Sequence, residues 1–394
     1  MRRGSGRRRR ASIIALLGSL LGLGGAGCTG GGDGQEIRVT PGAGAVNVRE
    51  DARLRVAVLD GRLERVRVVR TADGESTPVA GAIAGDGLSW RPSAGRLAVA
   101  SSYTVHAVAL DGHGRRHSRQ TTFSTRAPAG RFVAHFSPEH RSTAGVGTIV
   151  SLVFSRPVAD RAAVERAVTV TARPPVEVAA HWFGDGRLDL RPRAFWRPGT
   201  AVTVALRLKG VHGGGGYYGI QDKKLEFTIG RSVISTVDAR AKTIEVRRDG
   251  RLLRTLPVSA GAAATPTYSG YMVVMERLRT TRMNGQTVGF AGEYDISDVP
   301  HAVRLTRSGT FLHGNYWTPR SAFGSVNASH GCVGLPDEKG GSPASPAGWF
   351  FRNTLPGDLV RVVNSPQKTV GSDNGYGGWN LPWPRWRAGS ALRS

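Results

Sequence analysis

Cys332 lies two residues after His330 and nineteen after His313, inside the stretch FLHGNYWTPRSAFGSVNASHGCVGL that runs from Phe311 to Leu335. The only other cysteine of the 394-residue chain is Cys28. A lone thiol beside imidazoles suits nucleophilic acyl transfer, because the thiolate is the reactive species and an imidazole removes its proton near neutral pH. The same side chains are also zinc ligand types. Two ligands at i and i+2, with no second cysteine and no acidic residue at a ligand spacing, make a poor metal site.

The wording of the stretch points further. His313-Gly314 followed by Ser329-His330-Gly331-Cys332-Val333-Gly334-Leu335 resembles the signature of the L,D-transpeptidases with a YkuD-type catalytic domain, in which an HG pair precedes an S-H-G-C block. The resemblance extends from about Arg231 to the C-terminus and implies a β-rich catalytic fold that needs no metal or organic cofactor. It implies Cys332 as nucleophile and His313 as general base, with the imidazole oriented by the backbone carbonyl of Gly314. The N–H groups of Gly331 and Cys332 would form the oxyanion hole, where glycine permits the close backbone approach. His330 either tunes Cys332, contacts substrate or hydrogen-bonds its own turn. Ser329 and Asn327 either shape the pocket or satisfy loop backbone. Met283, Tyr294 and Trp317 fall where the mycobacterial-type enzymes have a pocket lid and wall, and with Asn315 they complete the substrate-contact candidates. Gly334 stands where the family often has arginine, which removes a carboxylate contact. His301, next to Pro300, reads as loop packing.

By the same resemblance the substrates are peptidoglycan stem peptides, donor and acceptor, and carbapenem-type β-lactams would acylate the enzyme. The expected reaction is 3→3 cross-linking through a thioester with release of D-alanine. Carboxypeptidation, or attachment of a wall protein through the same acyl-enzyme, is the alternative. Other readings fit less well. Papain-like wall hydrolases place cysteine before histidine, sortases have a much longer interval, and a silent wall-binding protein would not need the Cys/His pair.

The elements that deliver this site begin with a leader. Six arginines lie within residues 1–10, Ala11 to Leu23 is apolar, and small residues precede Cys28, a secretory signal too short to span a membrane. Cys28 after Ala-Gly resembles a lipoprotein cleavage site, so a lipid anchor on the outer face of the cytoplasmic membrane is expected. Residues 29–35 then form a flexible glycine-rich tether. The chain carries 54 Lys+Arg against 29 Asp+Glu, a net charge of +25, and only six of the bases are lysine. Dispersed arginine without an aromatic-basic module argues against nucleic acid, whereas an anionic wall or lipid neighbourhood, or a merely solvated surface, remains open.

An internal repeat follows. Leu88-Ser-Trp-Arg91-Pro92 and the alternating run to Asp111-Gly112 return about 100 residues later as Leu188-Asp-Leu-Arg191-Pro192 and the run to Lys209-Gly210. This period, with short alternating runs and Gly/Pro punctuation, predicts two immunoglobulin-like β-sandwich modules, residues 36–126 and 127–230. Trp90, Trp182 and Trp196 read as core, and Gly213 to Gly216 as a hairpin or loop. The second module resembles the one that packs on the catalytic domain in mycobacterial-type enzymes.

A third domain spans 231–364. It is read as mainly β, with a hairpin through Asp249-Gly250, a strand ending at His313, a helix capped by Ser345-Pro346 and a last strand over Leu359 to Val363. The extension 365–394 holds Trp379, Trp383 and Trp386. Its Gly and Pro content argues against a helix, and the resemblance implies that it folds back on the protein.

Overall fold

Alternation of apolar and polar residues decides most of this structure. In strand Ser102–Leu110 the side chains of Tyr103, Val105, Ala107 and Ala109 point inward and are buried, as a period of two requires. The computed structural model describes residues 37–72, 74–290 and 292–392. The leader, Cys28 and the tether lie outside them.

Two units are present. The first is a sandwich of two four-stranded sheets. Strands Arg38–Thr40, Arg55–Ala57, Ser89–Pro92 and Gly81–Ile83 form one sheet, and Glu75–Pro78, Arg62–Ala72, Ser102–Leu110 and Arg116–Ser124 form the other. Trp90, Val56, Val105 and Phe123 meet between them.

The second unit opens with another sandwich, in which Ala134–Ser137, Val150–Phe154, Arg187–Pro192 and Val178–Phe183 face Thr143–Ala144, Asp222–Ile229, Ala201–Arg207 and Val168–Arg173. Trp90, Trp182 and Trp196 are all buried, so none is a sugar-stacking platform. Residues 213–216 belong to a short hairpin, His212–Gly214 with Tyr217–Gly219.

The C-terminal domain packs two sheets face to face. Its strands are β1 (Val233–Asp238), β2 (Thr243–Arg248), β3 (Arg251–Pro257), β4 (Gly270–Val273), β5 (Glu276–Asn284), β6 (Asp295–Arg304), β7 (Phe311–Asn315), β8 (Val333–Pro336) and β9 (Leu359–Val363). One sheet has the order β3-β2-β1-β9-β4 and the other β5-β6-β7-β8. The turn joining β2 to β3 has φ +49° at Asp249 and +81° at Gly250, the two positive values that a tight hairpin of right-handed twist needs. Ile244, Val246, Met272, Val303, Leu312, Val333, Leu335, Phe350 and Val360 fill the space between the sheets. Helix α1 (Pro346–Arg352) starts as expected: Ser345 Oγ accepts from the Gly348 N–H at 2.9 Å and Pro346 takes the first position.

The tail departs from expectation in one respect. It contains a short helix, α2 (Trp383–Arg387), because Pro384 sits in the first turn, where no hydrogen bond is lost. It folds back on the second sandwich around one side chain. The buried Arg191 guanidinium lies 4.6, 5.4 and 4.5 Å from the ring centres of Trp379, Trp383 and Trp386 and donates to the Leu381 carbonyl at 2.9 Å. Asn380 bonds both the N–H and the carbonyl of Tyr271 in β4, each at 2.8 Å. Phe195 packs edge-on against Tyr271 and Trp379. The tail therefore ties the second sandwich to the sheet behind the site.

Candidate active site

Strand β7 carries His313. Leu312 faces the domain core, so by alternation His313 turns to the opposite face with Phe311 and Asn315. The histidine sits in mid-strand rather than at the strand end, because β8 pairs with β7 in parallel and sets Gly334 opposite it. That parallel pairing requires a crossover, residues 316–332, and the crossover brings the S-H-G-C block back to the start of β8.

His313 is 5% exposed and its Nδ1 lies 2.9 Å from the Gly314 carbonyl. The bond makes Nδ1 the donor and leaves Nε2 as the basic nitrogen. Burial lowers the pKa of His313, and the Gly314 carbonyl opposes that shift. Trp317 stacks on the imidazole at 5.7 Å and 13°. The Cys332 residue is half-buried, and Sγ accepts from the Phe311 N–H at 3.4 Å and donates to the Gly309 carbonyl at 3.5 Å. Enclosure of the sulfur pushes its pKa up to about 11, with the Phe311 N–H acting against the rise. Both shifts favour the neutral forms of the two groups.

A cavity of about 250 Å³ is lined by Cys332, His313, His330, Ser329, Met283, Tyr294, Asn315 and Trp317, together with Ser259, Ile296, Thr318 and Ala328. A second, of about 290 Å³, shares Tyr294 and His330 and reaches Thr265, Pro266, Phe290 and Gly309. Larger hollows lie along the second sandwich, one of about 970 Å³ beside the tail, and Cys332 lines none of them.

His330 Nε2 meets Glu293 Oε2 at 2.7 Å, and its ring packs on Phe290 and Tyr294 at 5.2 and 5.0 Å. It therefore holds the segment between β5 and β6 over the cysteine loop. Burial and the nearby Cys332 push the Tyr294 hydroxyl up to about 12, so it stays protonated. Ser329 Oγ donates to the Cys332 carbonyl at 2.6 Å and accepts from the Gly331 N–H at 3.2 Å. At rest the Gly331 N–H is thus spent on Ser329, and that long bond has to yield before the group can serve an oxyanion. Gly331 has φ +110°, which favours glycine there.

Asn327 takes the second of its two expected roles, satisfying loop backbone: Oδ1 accepts from Ala260 N at 3.0 Å and Nδ2 donates to the Ala239 carbonyl at 2.7 Å. Asn315 lines the cavity, and its side chain also closes a turn with Thr318. At Gly334 a side chain would press on Asn315 Nδ2, with a Cβ 3.2 Å away. His301 is more than loop packing, since it pairs with Asp337 at 2.7 Å. Glu293, Ile296 and Asp337 escaped sequence reasoning because they carry no motif and reach the site only through folding.

Comparison with known proteins points to one family. Residues 45–212 match a bacterial Ig domain model, and residues 232–362 match the L,D-transpeptidase catalytic domain model. L,D-transpeptidase 2 of Mycobacterium tuberculosis (strain CDC 1551 / Oshkosh) is 36% identical over 409 residues, covering 98% of this chain and 97% of that protein. L,D-transpeptidase 5 of Mycobacterium tuberculosis (strain ATCC 25618 / H37Rv) is 31% identical, covering 89% and 76%. A solved L,D-transpeptidase in complex with imipenem is 31% identical, covers 59% of this chain and 98% of its own, and superposes with a TM-score of 0.49. With near-full-length identity to such a relative, Ig modules ahead of the site and the Cys332/His313 cavity at its centre, the chain belongs to the L,D-transpeptidase family.

Proposed function

We propose that this enzyme cross-links peptidoglycan through a Cys332 thioester, joining the third residues of two stem peptides. The observation that carries the reading is the pairing of His313 Nδ1 with the Gly314 carbonyl while His313 and Cys332 line one cavity. Nε2 takes the thiol proton as sulfur attacks the carbonyl of the third residue of a tetrapeptide stem. The tetrahedral oxyanion is met by backbone N–H groups at Gly331 and Cys332. Collapse breaks the amide bond, the imidazolium protonates the departing amine, and D-alanine leaves. The amine of a neighbouring stem then attacks the thioester, gives its proton to His313 and releases the thiol. A strained β-lactam carbonyl fits the same first step, so carbapenems are expected to acylate Cys332.

We further propose export with lipidation at Cys28, supported by the arginine-rich start, the apolar run and the small residues before that cysteine. Incubation with a disaccharide-tetrapeptide and mass analysis of the products tests the reaction. A dimer whose mass equals two donors less one alanine is expected from the wild type and not from Cys332→Ala. A monomer shortened by alanine as the sole product would assign carboxypeptidation instead.

A further inference from the structure

Half-buried His301 and buried Asp337 form a pair that the steps above do not use. Their side chains are 14% and 0% exposed, with Nδ1 and Oδ2 at 2.7 Å. His301 takes φ +52° inside β6. A non-glycine residue holds that backbone only where its surroundings over-determine it, and such outliers gather at functional sites. Here the surroundings are specific: the ring packs on Phe351 of α1 at 5.3 Å, and Gly341 passes so close that a Cβ there would lie 3.0 Å from the ring. Asp337 Oδ1 accepts the N–H groups of Glu338 and Ser342 at 2.8 and 3.0 Å, which fixes the carboxylate from the other side.

The carboxylate so held lies against Gly314. A Cβ on Gly314 would stand 2.1 Å from Asp337 Oδ2. Gly314 is the residue whose carbonyl receives His313 Nδ1. We infer that the His301–Asp337 pair positions the general base, by bracing the backbone of Gly314 so that its carbonyl stays on Nδ1 and Nε2 stays the basic nitrogen in the cavity that Cys332 also lines. The inference rests on the reading of Cys332 as nucleophile and His313 as base. Asp337 and His301 touch no reacting atom and act through Gly314. Glycine at 314 is then required by the brace and not only by tolerance of the site.

The test is carbapenem acylation followed by mass and absorbance, fitted for the maximal rate and the half-saturating concentration and normalised to the fraction of protein that finally carries adduct. Asp337→Ala is expected to lower the maximal rate about 10- to 100-fold, the scale of misplacing a catalytic group by an ångström, with half-saturation nearly unchanged. Gly314→Ala should also be slow. Gly314→Ala/Asp337→Gly should be no slower than Asp337→Gly alone, because glycine at 337 removes both the carboxylate and the Cβ that a methyl on Gly314 would meet at 2.9 Å. His301→Ala should follow Asp337→Ala, whereas His301→Asn, which accepts positive φ and can donate to Asp337, should recover most of the rate. If Asp337→Ala does not fold, the His301 comparison decides alone. A rate within twofold of wild type for Asp337→Ala, penalties that multiply in the double variant, or His301→Asn as slow as His301→Ala would overturn the inference. Absence of adduct on the wild type would instead contradict the nucleophile assignment.

Discussion

The resting state of the thiol can be titrated directly. Alkylation of Cys332 by iodoacetamide between pH 6 and 11 should rise about tenfold per pH unit through pH 9 and level only near the raised pKa of about 11. A free cysteine titrates near 8.5, so at pH 8 roughly a quarter of the unfolded protein but only about one folded molecule in a thousand is thiolate. The residue is partly open to solvent. Even half of the shift leaves the folded thiolate near one in a hundred at that pH. The same protein in denaturant is the control, and its profile should level near pH 9. The sign for stability follows: the fold favours the neutral thiol, so its contribution is complete below about pH 8.5 and is lost as pH rises through the folded pKa. A folded-state plateau that begins below pH 8 would refute the reasoning, since it would mean a thiolate–imidazolium pair at rest. His313→Ala should leave the high-pH alkylation intact while abolishing acylation at pH 7.

Four further outcomes are expected. Because burial lowers the pKa of His313, the loss of carbapenem acylation on acidification should be centred below the ordinary histidine value of about 6.5; a loss centred at or above that value would contradict this. Trp386→Ala removes a fully buried ring that lies on Arg191 and donates to the Ala179 carbonyl at 2.9 Å, so guanidinium unfolding should show a loss of about 3–5 kcal/mol. Trp317→Ala, at 41% exposure, should cost under about 1 kcal/mol yet weaken substrate saturation. Glu293→Ala releases the exposed contact with His330 and should cost about 1 kcal/mol at most in guanidinium unfolding; a larger loss would show that the contact does more than hold an exposed segment.

Local chemistry was legible where one residue type decides the outcome. Asp249-Gly250 specified its hairpin, Ser345-Pro346 its helix start, and alternation in Ser102–Leu110 the inner face of a sandwich. The Cys332/His313 pair stood out for the same reason. What stayed hidden depends on contacts between distant residues. Asn327 could not be told from a ligand group until its amide was seen bridging Ala239 and Ala260. The spending of the Gly331 N–H on Ser329 is likewise a property of the folded loop. The His301–Asp337 pair spans 36 residues and leaves no periodic trace. Helix α2 was missed because proline was read as a breaker without regard to its first-turn position.

A covalent acyl-enzyme on Cys332 can be trapped during turnover. Rapid acid quench of the enzyme turning over a tetrapeptide stem, followed by intact mass and peptide mapping, tests it. A species heavier by the donor less alanine, mapped to the peptide holding Cys332, cleaved by hydroxylamine as a thioester is, and absent from Cys332→Ala, is the expected result. Turnover with no such species, or an adduct on another residue, would contradict the account.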